Sequence, residues 1–293
     1  MRFGLTILPE HPWGQAAAMW HQAEELGFDH AWTYDHLTWA GLPDSPWFGA
    51  VPTLAAAAVV TDRIGLGTFV ASPNYRHPAA FVRELLALDD ISGGRFLLGV
   101  GTGGDVDAQV LGQALPLRER VDRFVEFTDL LARLLAEDHV SSEGRWFSAR
   151  DVRTLPGPLR GDGAPPRMPL LVAANGRRAI RLAVERGDGW VTYGGTADTD
   201  EDWWAVVARS ARCVDEALAA AGRGSAGFRR YLSVDSAPTF SLTSPAAFED
   251  AVGRAAELGF TDVVTHRPRP EGPYAGSLAT LEAVAADVLP RWR

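Results

Sequence analysis

The sequence predicts a (β/α)8 barrel, a closed ring of eight parallel strands in which each strand is followed by a helix. Short apolar runs of β-forming residues alternate with amphipathic helical stretches along nearly all of the 293 residues. About eight such units can be counted, which is the number that closes the barrel. Gly27, Gly187 and Gly259 each lie between a predicted helix and the next strand, where glycine suits a left-handed helix cap. We therefore expect one domain over residues 1–293.

The predicted strands are short, apolar and bounded by glycine or polar residues. They occupy Arg2–Leu8, Ala31–Tyr34, Ile64–Val70, Phe96–Val100, Pro169–Ala173, Gly189–Tyr193, Arg229–Asp235 and Thr261–Thr265. Because the strands of such a barrel run parallel, their carboxyl ends meet at one mouth, and enzymes of this fold place their chemistry there. The prediction therefore reduces the chain to a short set of candidate residues.

The predicted helices carry apolar residues at helical spacing, as Met19, Ala23 and Leu26 do in the first of them. They occupy Gly14–Leu26, Val51–Thr61, Pro78–Ser92, Leu117–Ala136, Arg177–Arg186, Asp200–Ala221, Pro245–Gly259 and Ser277–Val288. The stretch Glu137–Arg167 is rich in glycine and proline and contains a hairpin-like piece at Val140–Phe147. We interpret it as an insertion, because the βα alternation resumes after it.

The composition excludes several classes of function. The net charge of −9, from 28 basic and 37 acidic residues, argues against a general binder of nucleic acid or of a membrane surface. All the basic residues are arginine. The single cysteine, Cys213, excludes a disulfide framework and a cysteine metal site. The chain shows no signal peptide and no apolar run long enough to span a bilayer, so we expect a cytoplasmic protein that acts on a small molecule and holds no metal.

Two polar clusters follow the second and third predicted strands. Tyr34, Asp35 and His36 lie at the end of the second strand, where a carboxylate beside an imidazole can orient a polar ring system or move a proton. The alternative is an Asp35–His36 pair that only closes a loop. Ser72, within Thr68–Pro73, could hydrogen-bond a ligand, but Ser-Pro is also ordinary turn chemistry.

Two glycine-containing segments follow the fourth and fifth predicted strands. The loop Gly99–Asp105 has four glycines in its first six residues, so its backbone could approach a flat ligand or an anion closely; the alternative is a flexible loop. The turn Ala174–Gly176 precedes a predicted helix that begins with Arg177 and Arg178. Backbone N–H groups at a helix start bind phosphate, although an ordinary helix cap with solvated arginines has the same sequence pattern.

Aromatic residues also gather near the predicted mouth. Trp13, Trp39, Trp47 and Tyr193 could line an apolar substrate pocket over a planar cofactor, although core packing could account for each. Four further polar residues at the ends of the last two strands could contact substrate or belong to surface loops, namely Asp235, His266, Arg267 and Arg269.

Taken together, these clusters resemble the luciferase-like monooxygenase superfamily, and best the branch of it that uses the deazaflavin coenzyme F420. The resemblance runs in order from Met1 to about Tyr193 and weakly to the end of the chain. The segments that carry it are Phe3–Leu5, Ala23–Asp29, Trp32–His36, Arg63–Thr68, Leu85–Asp89, Ser92–Phe96, Leu98–Gly103 and Ala183–Trp190. The fold of this superfamily is a (β/α)8 barrel with an insertion, which agrees with the strand and helix pattern.

The resemblance implies a role for each matching residue. Asp35 and His36 are the implied catalytic pair, in which Asp35 contacts the cofactor ring and His36 lies close to the reacting carbon. A cis peptide bond between Phe69 and Val70 would back the ring. The other implied cofactor contacts are Ser72, Thr102, Gly103, Ala174, Asn175, Gly176 and Arg177, with Asn175 and Gly176 in the phosphate-binding turn.

The chain departs from this branch at two points. Sugar-phosphate dehydrogenases of the branch carry an acidic general acid directly after the Thr-Gly pair, and here that place is taken by Gly104, with Asp105 next. Their substrate-phosphate lysines have no counterpart in a chain without lysine. A phosphorylated sugar is therefore not the expected substrate unless arginines replace those lysines.

Three hypotheses of function follow. The leading one is an F420-dependent oxidoreductase that transfers a hydride between the cofactor C5 and a small, apolar organic substrate, with His36 as the proton partner. The second is a monooxygenase of the same superfamily that uses reduced FMN and oxygen, with a flavin reductase as its partner. The third is a non-catalytic ligand-binding barrel, which Gly104 favours. A homodimer is expected from the superfamily.

Overall fold

Eight parallel strands close into a barrel in the computed structural model, which describes residues 1–155, 157 and 168–293. Around the ring they are β1 (Arg2–Thr6), β10 (Asp262–His266), β9 (Arg229–Ser233), β8 (Gly189–Thr192), β7 (Leu170–Ala173), β4 (Phe96–Val100), β3 (Gly65–Thr68) and β2 (His30–Thr33). Pairing of Leu5 with Thr265 joins the first strand to the last and closes the ring. The predicted (β/α)8 barrel is confirmed.

Helices cover the outside of the barrel and bury its apolar surface. They are α1 (Trp13–Glu25), α2 (Ala50–Val59), α3 (Pro78–Ile91), α4 (Asp105–Val110), α5 (Leu117–Ala136), α6 (Arg177–Arg186), α7 (Asp200–Ala220), α8 (Pro245–Glu257) and α9 (Leu278–Ala283). Cys213 is half-buried on α7. The short helix α4 was not predicted, because its six residues are too few to show a helical period and it directly follows the glycine loop.

The predicted insertion contains an antiparallel hairpin of β5 (Val140–Glu143) and β6 (Ser148–Val152). The hairpin extends five residues beyond the predicted Val140–Phe147. The carboxylate of Glu126 on α5 holds its turn by accepting hydrogen bonds of 2.6–3.1 Å from three successive backbone N–H groups. Most of the remaining predicted insertion, residues 158–167, lies outside the described residues.

Three hydrogen-bonded side chains, those of Trp32, His30 and Asp262, are buried inside the barrel, below the mouth. The indole N–H of Trp32 donates to Nδ1 of His30 at 2.7 Å, so Nε2 of His30 carries the hydrogen that meets Asp262 Oδ1 at 3.0 Å. Glycine makes room for both rings, since a Cβ on Gly4 would lie 2.4 Å from His30 Nδ1 and one on Gly67 would lie 2.4 Å from Trp32 Cζ3. His30, Trp32 and Asp262 are fully buried, so side chains fill this part of the barrel, and we expect ligands at the mouth.

Acid is expected to destabilise the fold through His30. Burial lowers the pKa of His30 below its ordinary 6.5, although Asp262 opposes this shift. The unfolded chain protonates histidine near its ordinary pKa, so this contribution to stability is complete above pH 6.5 and is lost as the pH falls below it. Urea unfolding at about pH 7.5 and about pH 5.5 should show that the free energy of unfolding falls toward the lower pH. This one group should contribute up to about 1.4 kcal/mol per pH unit to that fall. If the free energy of unfolding of His30→Gln fell equally steeply with pH, the pH dependence would not come from His30.

Candidate active site

The ends of β3, β4 and β7 form one continuous part of the mouth. The Phe69–Val70 peptide bond, which follows β3, is cis, as the resemblance implied. A Cβ on Gly101 would lie 2.6 Å from Val70 Cγ2 and 3.3 Å from Ala173 Cβ. Only glycine therefore lets the chain after β4 pass between the neighbouring strand ends, which keeps Val70 at the mouth.

The glycine loop is held in one conformation by its neighbours. Gly103 has a φ of +76°, and a Cβ there would lie 2.7 Å from the Cβ of the buried Ser72. Asn74 donates from Nδ2 to the carbonyl of Gly104 at 2.7 Å, and Arg120 donates to the carbonyl of Gly103 at 3.2 Å. These contacts argue against the flexible-loop alternative. Thr102 is half-buried in the same loop, and its role and that of Ser72 toward a cofactor stay predictions.

Asp35 is paired with an arginine rather than with His36. Arg76 donates from Nε and Nη2 to the two carboxylate oxygens at 2.8 and 2.7 Å, and Asp35 is 2% exposed. Burial alone would lower the pKa of Arg76, but the hydrogen bonds and charge of Asp35 raise it. Burial, together with Asp35, raises the pKa of the adjacent Tyr75. Asp35 is thus a fixed carboxylate in the wall of the mouth.

His36 has a carboxylate partner of its own, which sequence reasoning missed. Its Nδ1 lies 2.7 Å from Oδ2 of Asp107 on α4, and the other carboxylate oxygen accepts the backbone N–H of Leu37 at 2.7 Å. Asp107 is 1% exposed, whereas Asp105 points outward to Arg120. A carboxylate accepts the Nδ1 hydrogen, so the second ring nitrogen of His36, Nε2, keeps its lone pair. The structure therefore places an oriented imidazole at the mouth, and the catalytic role of His36 stays a prediction.

The turn before α6 leaves the start of the helix without a side-chain cap. Asn175 Oδ1 accepts a hydrogen bond of 2.7 Å from the buried Thr192, and the carbonyl of Ala174 accepts one of 2.7 Å from the indole of Trp190. Gly176 is the N-cap residue of α6 and offers no side-chain cap, and a Cβ on it would meet nothing within 4 Å. Arg177 is exposed beside it. A helix start without a side-chain cap suits phosphate, and the cofactor-binding role of Ala174, Asn175, Gly176 and Arg177 stays a prediction.

Two of the four predicted pocket aromatics come together at the mouth. Trp39 stacks on Tyr274 with ring centroids 6.0 Å apart, and it also contacts Trp47 at 6.1 Å. Trp13 and Tyr193 are 38% and 53% exposed, and no ring contact joins either to this cluster within the described residues. Their predicted pocket role is therefore not supported by contact with Trp39, and it stays a prediction.

The predicted residues after β9 and β10 separate into two groups. Asp235 and His266 are buried and bonded to each other, Nδ1 of the imidazole lying 2.9 Å from Oδ2 of the carboxylate. Arg269 forms an ion pair with Glu10 at 2.7 Å, and Arg267 donates to Gln22 at 3.0 Å. The histidine and aspartate thus belong to the mouth, while the arginines brace the loops around it.

Sequence reasoning missed Arg76, Asp107 and Tyr274. Arg76 follows the third strand within Tyr75-Arg76-His77, so its place at a strand end was the available signal. Asp107 is buried on a helix that the sequence did not reveal, and Tyr274 lies in a proline-rich loop. Their partners lie between 41 and 240 residues away in the chain, beyond the reach of local pattern.

Metal and membrane chemistry find no support in the described part of the chain. No group of three or more histidine, cysteine, aspartate or glutamate side chains in residues 1–155, 157 and 168–293 is arranged to hold a metal ion. Over the same residues, the helices are too short or too polar to cross a lipid bilayer.

Comparisons with known proteins agree with this geometry. A family model described as luciferase-like monooxygenase matches residues 1–286. An F420-dependent glucose-6-phosphate dehydrogenase of Beutenbergia cavernae is 31% identical over 323 residues, covering 92% of this chain and 91% of the relative. A 4-hydroxyprotoasukamycin monooxygenase of Streptomyces nodosus subsp. asukaensis is 32% identical over 66% of this chain and 52% of the relative. The solved structure of an F420-dependent secondary alcohol dehydrogenase has a TM-score of 0.82 at 16% identity, covering 100% of this chain and 99% of that one.

Proposed function

The chain belongs to the luciferase-like monooxygenase family and is an oxidoreductase of that class, and from this premise we propose that it is an F420-dependent dehydrogenase or reductase. When bound, the deazaflavin accepts or donates a hydride, and the protein supplies binding, orientation and proton transfer. The substrate we propose is a small alcohol or carbonyl compound with an apolar body. The named dehydrogenase relatives support this class of reaction.

The observation that carries the proposal is the uncapped start of α6 beside the glycine loop. Gly176 gives the start of the helix no side-chain cap, and the space that a Cβ on it would occupy is open. Asn175, oriented through its oxygen by Thr192, keeps its amide hydrogens free to donate. Gly99, Gly101 and Gly103 let the ends of β3 and β4 pack closely, and the space beside Gly104 is open. These residues fit a planar cofactor that carries one phosphate.

The side chains at the mouth then have separate tasks. Asp35, held by Arg76, would supply the carboxylate that contacts the ring system. His36 takes the hydroxyl proton of an alcohol through Nε2, because Asp107 holds its Nδ1 hydrogen. The Asp107 carboxylate also stabilises the imidazolium that this proton transfer forms. Gly104 occupies the place of the general acid expected from the resemblance, and the buried carboxylate near the base comes from Asp107 instead.

The proposal is tested by titrating the purified protein with coenzyme F420 and, separately, with FMN. We expect a dissociation constant on the order of micromolar for F420 and much weaker binding of FMN. The reverse order would make the protein an oxygen-using flavin enzyme, like the monooxygenase relative. Binding of neither would overturn the proposal in favour of a non-catalytic barrel.

Gly176→Asp should lower the affinity of the protein for the cofactor about 10- to 100-fold, which is the value of one charge-assisted hydrogen bond to phosphate. Gly176 has φ −94° and ψ 149°, an ordinary N-cap conformation that aspartate adopts, so the variant should fold and its α6 should gain a cap. Gly224→Asp adds the same charge in open space on a distant loop and is the matched control. Equal affinity of the two variants would show that phosphate does not bind at α6.

A further inference from the structure

Two tyrosine hydroxyls meet at the mouth beside the imidazole base. The hydroxyl of Tyr34, directly after β2, lies 3.1 Å from that of Tyr274 and 2.8 Å from Nε2 of His266. The rings of Tyr34 and His36 lie edge to face with centroids 6.0 Å apart. One small substrate can therefore contact both His36 and the tyrosine pair.

The hydrogen bonds of Asp235 and His266 decide which of the two tyrosine hydroxyls donates and which accepts. The carboxylate of Asp235 accepts four hydrogen bonds, from the backbone N–H groups of Ser241 and His266, the hydroxyl of Thr265 and the Nδ1 hydrogen of His266. Nε2 of His266 is then an acceptor, so Tyr34 donates its only hydrogen to it. Tyr274 in turn donates to the oxygen of Tyr34. Only acceptor lone pairs remain on the two hydroxyls.

Both tyrosines keep their hydrogens over the ordinary pH range. Burial, with Tyr274 and Asp235 nearby, raises the pKa of Tyr34 well above its usual value. Burial also raises the pKa of Tyr274 to about 12. The pair is thus a neutral, fixed acceptor.

The loop that carries Tyr274 is built to hold it there. Tyr274 has a φ of +63°, which a residue with a Cβ rarely adopts, and its ring stacks on His266 with centroids 3.7 Å apart. Arg269 braces the loop by donating its backbone N–H to the carbonyl of Tyr274 at 2.9 Å and by pairing with Glu10. Strain of this kind persists where the surrounding structure enforces it, which points to a function for the position of Tyr274.

We propose that Tyr34 and Tyr274 form a second polar subsite, which binds a hydroxyl group of the substrate other than the one that reacts at His36. The inference rests on the proposed function and deepens it, since the substrate class becomes a compound with two oxygen functions on an apolar body. Trp39, which stacks on Tyr274, supplies the apolar wall of the subsite. The indole nitrogen of Trp47 is buried and has no hydrogen-bond partner among the described residues. Asp235 already accepts about as many hydrogen bonds as a carboxylate can, so an ammonium group would find no free counter-charge.

The subsite is tested with matched alcohols on the F420-loaded protein. Cyclohexanol and trans-cyclohexane-1,2-diol present the same ring with one or two hydroxyls. We expect kcat/KM for the diol to exceed that for cyclohexanol by about tenfold, the value of one well-made hydrogen bond. In the double variant Tyr34→Phe, Tyr274→Phe the ratio should fall to about one, because neither ring then offers a hydroxyl acceptor.

Tyr231→Phe is the matched control, because it removes a hydroxyl from a tyrosine inside the barrel whose ring packs on His30 and Trp32. Its ratio should equal that of the unaltered protein. Heats of binding of the two alcohols are measured alongside, so that a compound that binds without turnover is still scored. Equal turnover and equal heat for both alcohols, or a preference for 2-aminocyclohexanol, would overturn the subsite. Failure of F420 to bind, with the diol still preferred in the heats, would instead overturn only the proposed function.

Discussion

Asp107→Asn should lower kcat by about 10²- to 10⁴-fold while leaving the affinity for the cofactor nearly unchanged. The carboxylate accepts the Nδ1 hydrogen of His36 at 2.7 Å, and this contact selects the tautomer with a free lone pair on Nε2. An asparagine amide would present N–H to Nδ1 instead and shift the hydrogen to Nε2, so that the imidazole could no longer accept a proton. The asparagine oxygen can still accept the backbone N–H of Leu37, so the local fold should persist.

The tautomer and the rate are measured separately. Nitrogen NMR of the imidazoles reports which ring nitrogen of His36 carries the hydrogen, even before a substrate is known, and turnover with the alcohols above reports the rate. The chain supplies a matched control in His139 and Asp151, which make the same 2.7 Å contact on the exposed hairpin of the insertion. Asp151→Asn should leave kcat as it is. Full activity in Asp107→Asn would show that His36 is not the proton partner.

Arg76→Met should lower the free energy of unfolding by about 3–5 kcal/mol, the second large effect that we expect. The guanidinium bonds both oxygens of Asp35, which is 2% exposed, so its removal would leave a buried carboxylate without its counter-charge. Methionine keeps an unbranched apolar stem, and it also removes the guanidinium carbon that lies 4.4 Å from the ring centroid of Phe81. The loss should come mainly from the broken ion pair.

Glu84→Gln is the control for this prediction, because Glu84 also pairs with Arg76 at 2.8 Å but is 46% exposed. Urea unfolding should show a loss of less than about 1 kcal/mol for that variant. The double variant Asp35→Asn, Arg76→Met should recover part of the stability, because no buried charge is left unpaired. A loss in the double variant as large as in Arg76→Met alone would assign the effect to packing.

The sequence by itself determined the barrel and part of the set of residues that line its mouth. Strand and helix periods are local properties, and Gly27 and Gly259 follow helices with the positive φ that was predicted for them. The same prediction is wrong for Gly187, which ends α6 in an extended conformation with a φ of −88°. Because parallel strands bring their carboxyl ends together, local reading was enough to select Asp35, His36, Val70, Gly103 and Gly176 as mouth residues. Strand ends were less well predicted, and the early end of β9 at Ser233 puts Asp235 in a turn rather than in the strand.

Only the tertiary structure decided which partner each of these residues has. Asp35 and His36 are neighbours in the chain, yet Arg76 and Asp107 hold them separately, 41 and 71 residues further on. Tyr34 meets His266 across 232 residues, because the pairing of β1 with β10 closes the ring and brings the last strand near β2. Hydrogen-bond partners in a barrel depend on closure and on the register between strands, and no local period encodes either. Which atom donates and which accepts in each hydrogen bond at the mouth therefore follows from the fold and not from the residue types alone.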